Sequence, residues 1–145
     1  MQARVTLQLR ARLEERKAAE MQLRALCQLR GHPPPLCDQL ISAFIEAFNN
    51  VVLHAYRDRT DGQVEVVLQL DDDAAVIELS DHGQNFDPQA VPPPVLDGEL
   101  SEGGYGLHII RSLMSEVSYH QEGERNVLRM TKHLRLTTDS PKASI

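Results

Sequence analysis

Three short segments carry side chains whose types and spacing could do chemistry. The first is Glu46-Ala-Phe-Asn49-Asn50-Val-Val-Leu-His54-Ala-Tyr56. On a helix, Glu46, Asn50 and His54 share one face, because residues four apart stack one turn above the other. A carboxylate and a carboxamide in that arrangement can divide the work of phosphoryl transfer: the amide oxygen ligates Mg²⁺ while the carboxylate orients a hydroxyl or a water. The second segment is Asp81-His82-Gly83-Gln84-Asn85-Phe86-Asp87-Pro88. An Asp at a strand end can accept from an exocyclic amine, and a glycine two residues later lets a flat ring approach the backbone. The third is Glu102-Gly103-Gly104-Tyr105-Gly106-Leu107-His108-Ile109-Ile110. Glycines at a helix entrance expose backbone N–H groups at the positive end of the dipole, where phosphate binds readily. Each segment alone has a plainer reading, as a solvated helix face, a turn and a helix-entry turn respectively. The third is neither a Walker motif, which needs Gly-Lys-Ser/Thr, nor a Rossmann fingerprint, which follows a strand.

The elements that must hold these residues can be read from periodicity. Residues 4–10 alternate polar and apolar and predict a strand. Residues 12–30 predict a helix with Ala18, Met21, Ala25 and Leu29 as its apolar stripe, stopped by Gly31 and the prolines 33–35. A second helix is expected over 36–56, with Leu40, Ile41, Phe44, Phe48, Val51, Val52 and Ala55 inward. Strands follow over 64–70 and 74–80, with the acidic triplet 71–73 as a hairpin tip. That triplet lacks the glycine and distal Glu of a Ca²⁺ loop, so a turn is the better reading. Residues 87–103 hold four of the eight prolines and predict a loop. A helix over 105–114 and strands over 117–120 and 126–133 complete the order, before a polar tail from Thr137. The expected class is α+β: a two-layer sandwich with a mostly antiparallel, mixed sheet and its helices on one face.

Composition bounds the function. At 145 residues the chain fits one domain, with 1–136 folded and 137–145 a tail. Two cysteines, Cys27 and Cys37, can neither frame a disulfide scaffold nor fill a zinc site, and a reducing cytoplasm is the default. No apolar stretch is expected to approach the ~18 residues of a membrane span. Fifteen Lys+Arg against 21 Asp+Glu leave a net charge of −6, which argues against nucleic acid as the main ligand. The charge is uneven: residues 1–30 carry seven basic and three acidic side chains (+4), and the remainder eight and 18 (−10). A solvated helix face or a partner-contact surface around Arg12 and Arg16 would both produce that asymmetry.

Taken together and in this order, the three segments resemble the boxes of the GHKL (Bergerat) ATP-binding fold. Glu46-x-x-x-Asn50 matches the N-box, Asp81-x-Gly83-x-x-Phe86 the first glycine box and Gly104-x-Gly106-Leu107 the second. Within that superfamily the chain looks most like the anti-sigma-factor serine kinases. His54-Ala55-Tyr56 after Asn50, Leu113-Met114 before Glu116-Val117, and the closing Thr131-Lys132-His133-Leu134 carry that narrower likeness.

The resemblance implies roles residue by residue. Glu46 would be the catalytic base orienting the acceptor hydroxyl, and Asn50 would hold Mg²⁺ between the phosphates. Asp81 would accept from the adenine amine of ATP, with Gly83 admitting the ring and Phe86 beside it. Gly104, Gly106 and Leu107 would cradle the phosphates while residues 87–103 close as a lid. The implied activity is ATP-dependent phosphorylation of a STAS-type anti-sigma-factor antagonist by a protein that otherwise holds a sigma factor; the implied partners include a second copy in a homodimer, without membrane or direct nucleic-acid contact. An ATP-binding module without transfer is the alternative; a sensor-kinase fragment would need a dimerising hairpin with a phospho-accepting His, and a chaperone or topoisomerase ATPase a following domain. One departure stands out: Glu124-Arg125-Asn126 occupies the place of the Gly-Thr-Thr-like run that enters the family's last strand. That puts a side-chain contact to the nucleotide site in doubt.

Overall fold

The computed structural model describes residues 2–57, 61–84 and 102–134, for 102–107 the backbone only. Strand β1 (Ala3–Arg10) leads through a single 3₁₀ turn (Leu13–Glu15) into helix α1 (Arg16–Arg30). Gly31 ends α1 in the left-handed conformation, φ 71°, with its N–H bonded back to the last turn, which glycine adopts without steric cost. Helix α2 (Pro34–Asn50) starts on prolines, tolerated there because first-turn N–H groups have no intrahelical acceptor. It passes directly into a π-helical turn, Val51–Ala55. Strands β2 (Gln63–Leu70) and β3 (Ala74–Asp81) form a hairpin, helix α3 spans Glu102–Leu113, and β4 (Glu116–Glu122) and β5 (Arg125–His133) form a second hairpin.

The strands make one sheet in the order β1-β2-β3-β5-β4. All four pairings are antiparallel, so the described sheet contains no parallel pair where a mixed sheet was expected. Period-two alternation gives it two unlike faces. Val64, Val66, Leu68, Leu70, Ala75, Ile77 and Leu79 point at the helices and are buried, whereas Gln63, Glu65 and Glu78 belong to the opposite face. Helix α2 fills the middle of the second layer, with α1 and α3 both packed on it. Phe44 and Phe48 are fully buried, their ring centroids 5.7 Å apart. The α2 stripe expected from periodicity, Leu40 to Ala55, is buried throughout. Pro34–Ala55 is long and apolar enough by length and composition to cross a membrane; in this fold its apolar face is covered by the sheet and the flanking helices.

Helix α1 differs from expectation. Its buried side chains are Ala19, Leu23, Leu26 and Cys27. Ala18, Met21, Ala25 and Leu29 are exposed, Met21 at 72% and Leu29 at 74%. The helix carries two apolar stripes more than about a third of a turn apart, and the sheet takes the one with the larger contiguous set of branched side chains. The hairpin tip falls at 71–73 as expected, and Oδ1 of Asp71 accepts from the N–H groups of Asp73 and Ala74, both at 2.8 Å. Those two bonds hold its carboxyl below the usual carboxylate range. Cys27 and Cys37 are buried free thiols; burial and the adjoining Cys37 push the Cys27 thiol up to about 12. The tail 137–145 and most of the loop 87–103 lie outside the described residues.

Candidate functional site

The inward row of β3 runs Ala75, Ile77, Leu79 and then Asp81, so the apolar series ends on a carboxylate. Asp81 is 5% exposed and faces Asn126 of β5 in register. The amide Nδ2 of Asn126 donates to Asp81 Oδ1 at 2.9 Å and to the carbonyl of Gly83 at 3.1 Å. The N–H of Gly83 donates to the same Oδ1 at 2.9 Å. Burial pushes the Asp81 carboxyl up, and the bonds from Asn126 and Gly83 pull against that shift. No described donor reaches its second oxygen.

Gly83 is glycine here for a reason the sequence did not show. A Cβ at this position would lie 2.4 Å from the carbonyl oxygen of Ala55, a backbone atom that cannot move aside. The next residue, Gln84, donates its N–H to that same carbonyl at 2.6 Å. The turn after β3 is therefore docked on the end of the α2 extension. Tyr56 strengthens this joint: its hydroxyl donates to the carbonyl of Gln63 at 2.7 Å and accepts from the N–H of His82 at 2.9 Å. Its ring occupies the space that a side chain at position 62 would need.

Asn50 reaches the same place from the helical layer. It is 7% exposed, and its amide nitrogen is buried without a hydrogen-bond partner among the described residues. The helix widens immediately after it, with the N–H of Tyr56 bonding the carbonyl of Val51 at 3.0 Å, five residues back. Single π turns recur at functional sites because they re-aim the side chains around them. The uniform face expected for 46, 50 and 54 changes at this bulge. Beside it lies a cleft lined by Asn50, Val51, Ala55, Asp81, Gln84, Tyr119 and Leu128. Glu46 is half-buried one turn before Asn50, outside the lining set.

The structure thus brings the first two segments together: Asn50 and Asp81 face one cleft. Gly104, Gly106 and Leu107 lie in α3, which begins at Glu102, three residues earlier than expected, and packs on α2. That start places Gly104 in the first turn, whose N–H groups lack intrahelical acceptors, and Gly106 in the second. Phe86 lies outside the described residues. Two residues were missed by sequence reasoning. Tyr119 and Leu128 supply the apolar wall, and the inward alternation of β4 and β5 was the available signal. Asn126 belongs to the run in which a contact was in doubt, yet it is the side chain that holds Asp81.

A cation and a triphosphate can be tested against these side chains. Turned by 180°, the buried Asn50 amide presents an oxygen where its unpaired nitrogen now stands. Mg²⁺ takes oxygen donors, commonly one or two from protein and the rest from phosphates and water. The described residues contain no cluster of three or more His, Cys, Asp or Glu able to cage a metal. One amide beside a cleft fits a cation carried in by phosphates.

Comparison with known proteins identifies the family. Residues 9–132 match the histidine kinase-like ATPase domain family. The chain is 30% identical over 142 residues to the serine-protein kinase RsbW of Listeria innocua, covering 92% of this chain and 89% of that one. It is 39% identical over 88 residues to the RsbW of Staphylococcus epidermidis, 55% of each chain. The solved RsbU and RsbW domains of a Mycobacterium tuberculosis protein superpose with a TM-score of 0.65 at 19% identity, over 90% of this chain and 32% of that one. A histidine kinase domain from Erythrobacter litoralis gives 0.52 at 18% identity, over 71% and 46%. These last two share the fold. The chain belongs to the histidine kinase-like (GHKL) ATPase family, in its branch of RsbW-type anti-sigma serine kinases.

Proposed function

We propose that this protein is a Mg-ATP-dependent serine/threonine kinase that acts as an anti-sigma factor in the cytoplasm and phosphorylates a STAS-type antagonist. The observation that carries the reading is the convergence of Asn50 and Asp81 on one cleft, from two layers of the fold. Bound ATP with its cation supplies the transferable phosphoryl group and the charge neutralisation that phosphoryl transfer needs. Asp81 offers the base an acceptor oxygen in the cleft. Asn50 would hold the cation through its amide oxygen. The first-turn N–H groups of α3, Gly104 among them, would donate to phosphate oxygens with the helix dipole behind them. Glu46, one turn before Asn50, orients the acceptor hydroxyl and takes its proton.

Phosphorylation adds roughly −1.5 to −2 charges to the antagonist. Against a protein of net charge −6 that addition favours release, which frees this surface for the sigma factor. Purified protein incubated with γ-labelled ATP and a candidate STAS-domain antagonist tests the reading. Label should appear on Ser or Thr of the antagonist. Label on a His of the kinase itself contradicts the serine-kinase reading, and tight ATP binding without any transfer points to a non-catalytic binding module.

A further inference from the structure

Asn126 stands where the resemblance leads one to expect a hydroxyl side chain, and its surroundings determine how it is oriented. Its two partners, the Asp81 carboxylate and the Gly83 carbonyl, only accept, so the amide nitrogen must face them. Its oxygen accepts in turn from Nε2 of Gln121 at 3.1 Å. The residue is 2% exposed, which leaves its amide no water to trade partners with. Meanwhile the Gly83 N–H occupies Asp81 Oδ1 alongside the amide. Both protein donors therefore converge on one carboxylate oxygen, and the other is left for a ligand.

The opposite face of the sheet clamps the same stretch. Alternation sends Ser80 and Arg125 outward where Asp81 and Asn126 point inward. Nη2 of Arg125 donates to Ser80 Oγ at 2.9 Å and to Glu65 Oε1 at 3.3 Å, while its Nη1 reaches Glu122 at 3.2 Å. Arg125 thus ties β2, β3 and β4 together directly behind the Asp81–Asn126 pair.

We propose that Asn126 is a positioning residue that selects the nucleobase: by occupying Oδ1 of Asp81 and fixing the Gly83 carbonyl, it leaves a single outward acceptor oxygen, so a base bearing an exocyclic amine is bound and one bearing a carbonyl at that place is refused. This rests on the reading of Asp81 as the base acceptor. Two neutral donors on the carboxylate also favour its charged, acceptor-only form. Without the amide the carboxyl is free to rotate and to take up a proton, and a protonated carboxyl donates to a carbonyl base.

The test compares binding of ATP and ITP, which differ at that position as amine and carbonyl, to the wild-type protein and to Asn126→Ala, Asn126→Thr and Asp81→Asn. Wild type should prefer ATP. Asn126→Ala should bind ATP about tenfold more weakly, the scale of one lost charged hydrogen bond, while ITP binding holds or improves, so the preference narrows. Asn126→Thr, which restores a short donor, should recover part of the preference and decides the matter if the Ala variant does not fold. Equal weakening of ATP and ITP, or an unchanged preference in the variants at position 126, overturns the role of Asn126 while Asp81→Asn still loses the preference. A wild type without preference, together with an Asp81→Asn variant that binds both nucleotides as wild type does, overturns the underlying assignment of Asp81 and the selection built on it.

Discussion

The proposed acceptor for the base is a single oxygen of Asp81, and the environment of that carboxyl bears on how it would act. The residue sits at the end of an apolar row, 5% exposed, where a carboxylate survives only if hydrogen-bonded. Burial raises its pKa and two donors restrain the rise. Because the charged form is the acceptor, ATP affinity should be constant at neutral pH and fall as pH drops through this raised pKa. Asp81→Asn replaces the outward acceptor by a donor. Calorimetry should show ATP binding weakened by about 1–3 kcal/mol and no longer dependent on pH in the acidic range. The place of Asp81 at a strand end before Gly83 was legible in the sequence. The role of Asn126 was not, because it depends on a cross-strand pairing between residues distant in the chain. Gly83 was legible as a glycine needed for close approach, but the neighbour that excludes a side chain is the Ala55 carbonyl, a tertiary contact that local spacing does not encode.

The site is assembled where elements end. Strand β3, the π turn after α2 and the start of β2 meet at Tyr56, whose hydroxyl bonds both strand ends. Tyr56→Phe removes both bonds and leaves the ring over Gly62. It should cost about 1–3 kcal/mol in urea unfolding and weaken ATP binding as well, because the Gly83 turn loses its mooring; full ATP affinity in a destabilised variant would show that the joint is structural only. The strands were readable to within one or two residues because period-two alternation against a single helical layer is unambiguous. Helix α1 was readable as a helix but not in its facing, since Ala18-Met21-Ala25-Leu29 and Ala19-Leu23-Leu26-Cys27 are both apolar series at helical spacing. The π turn left no sequence signal: Val51 to Ala55 continue the apolar stripe, and only the i to i−5 bond of Tyr56 reveals the widening.

For the molecule as a whole, the charge asymmetry is partly internal. Arg24 of α1 pairs with Asp38 at 3.7 Å, Arg30 pairs with Asp72 at the hairpin tip, and Arg16 bonds Glu20 and Asn49. Such surface pairs contribute little stability each, but they join the basic first thirty residues to the acidic remainder. Stability comes from the layer interface. Phe44 is fully buried and lies at its centre. Phe44→Ala should cost about 3–5 kcal/mol by denaturant unfolding, enough to unfold much of a marginally stable domain. In the proposed function a polyanionic ligand would bind a chain of net charge −6 through local features: an amide for a cation, N–H groups at a helix start and one carboxylate for the base. That ligand's phosphoryl group is transferred only if a base stands near the acceptor hydroxyl, and Glu46 is the residue assigned to it. The most direct measurement is single-turnover transfer from γ-labelled ATP to the STAS-domain antagonist by wild type and Glu46→Ala, with ATP affinity measured on the same samples. Affinity should be unchanged while transfer falls at least about 100-fold; undiminished transfer by Glu46→Ala would contradict the assignment of the catalytic base.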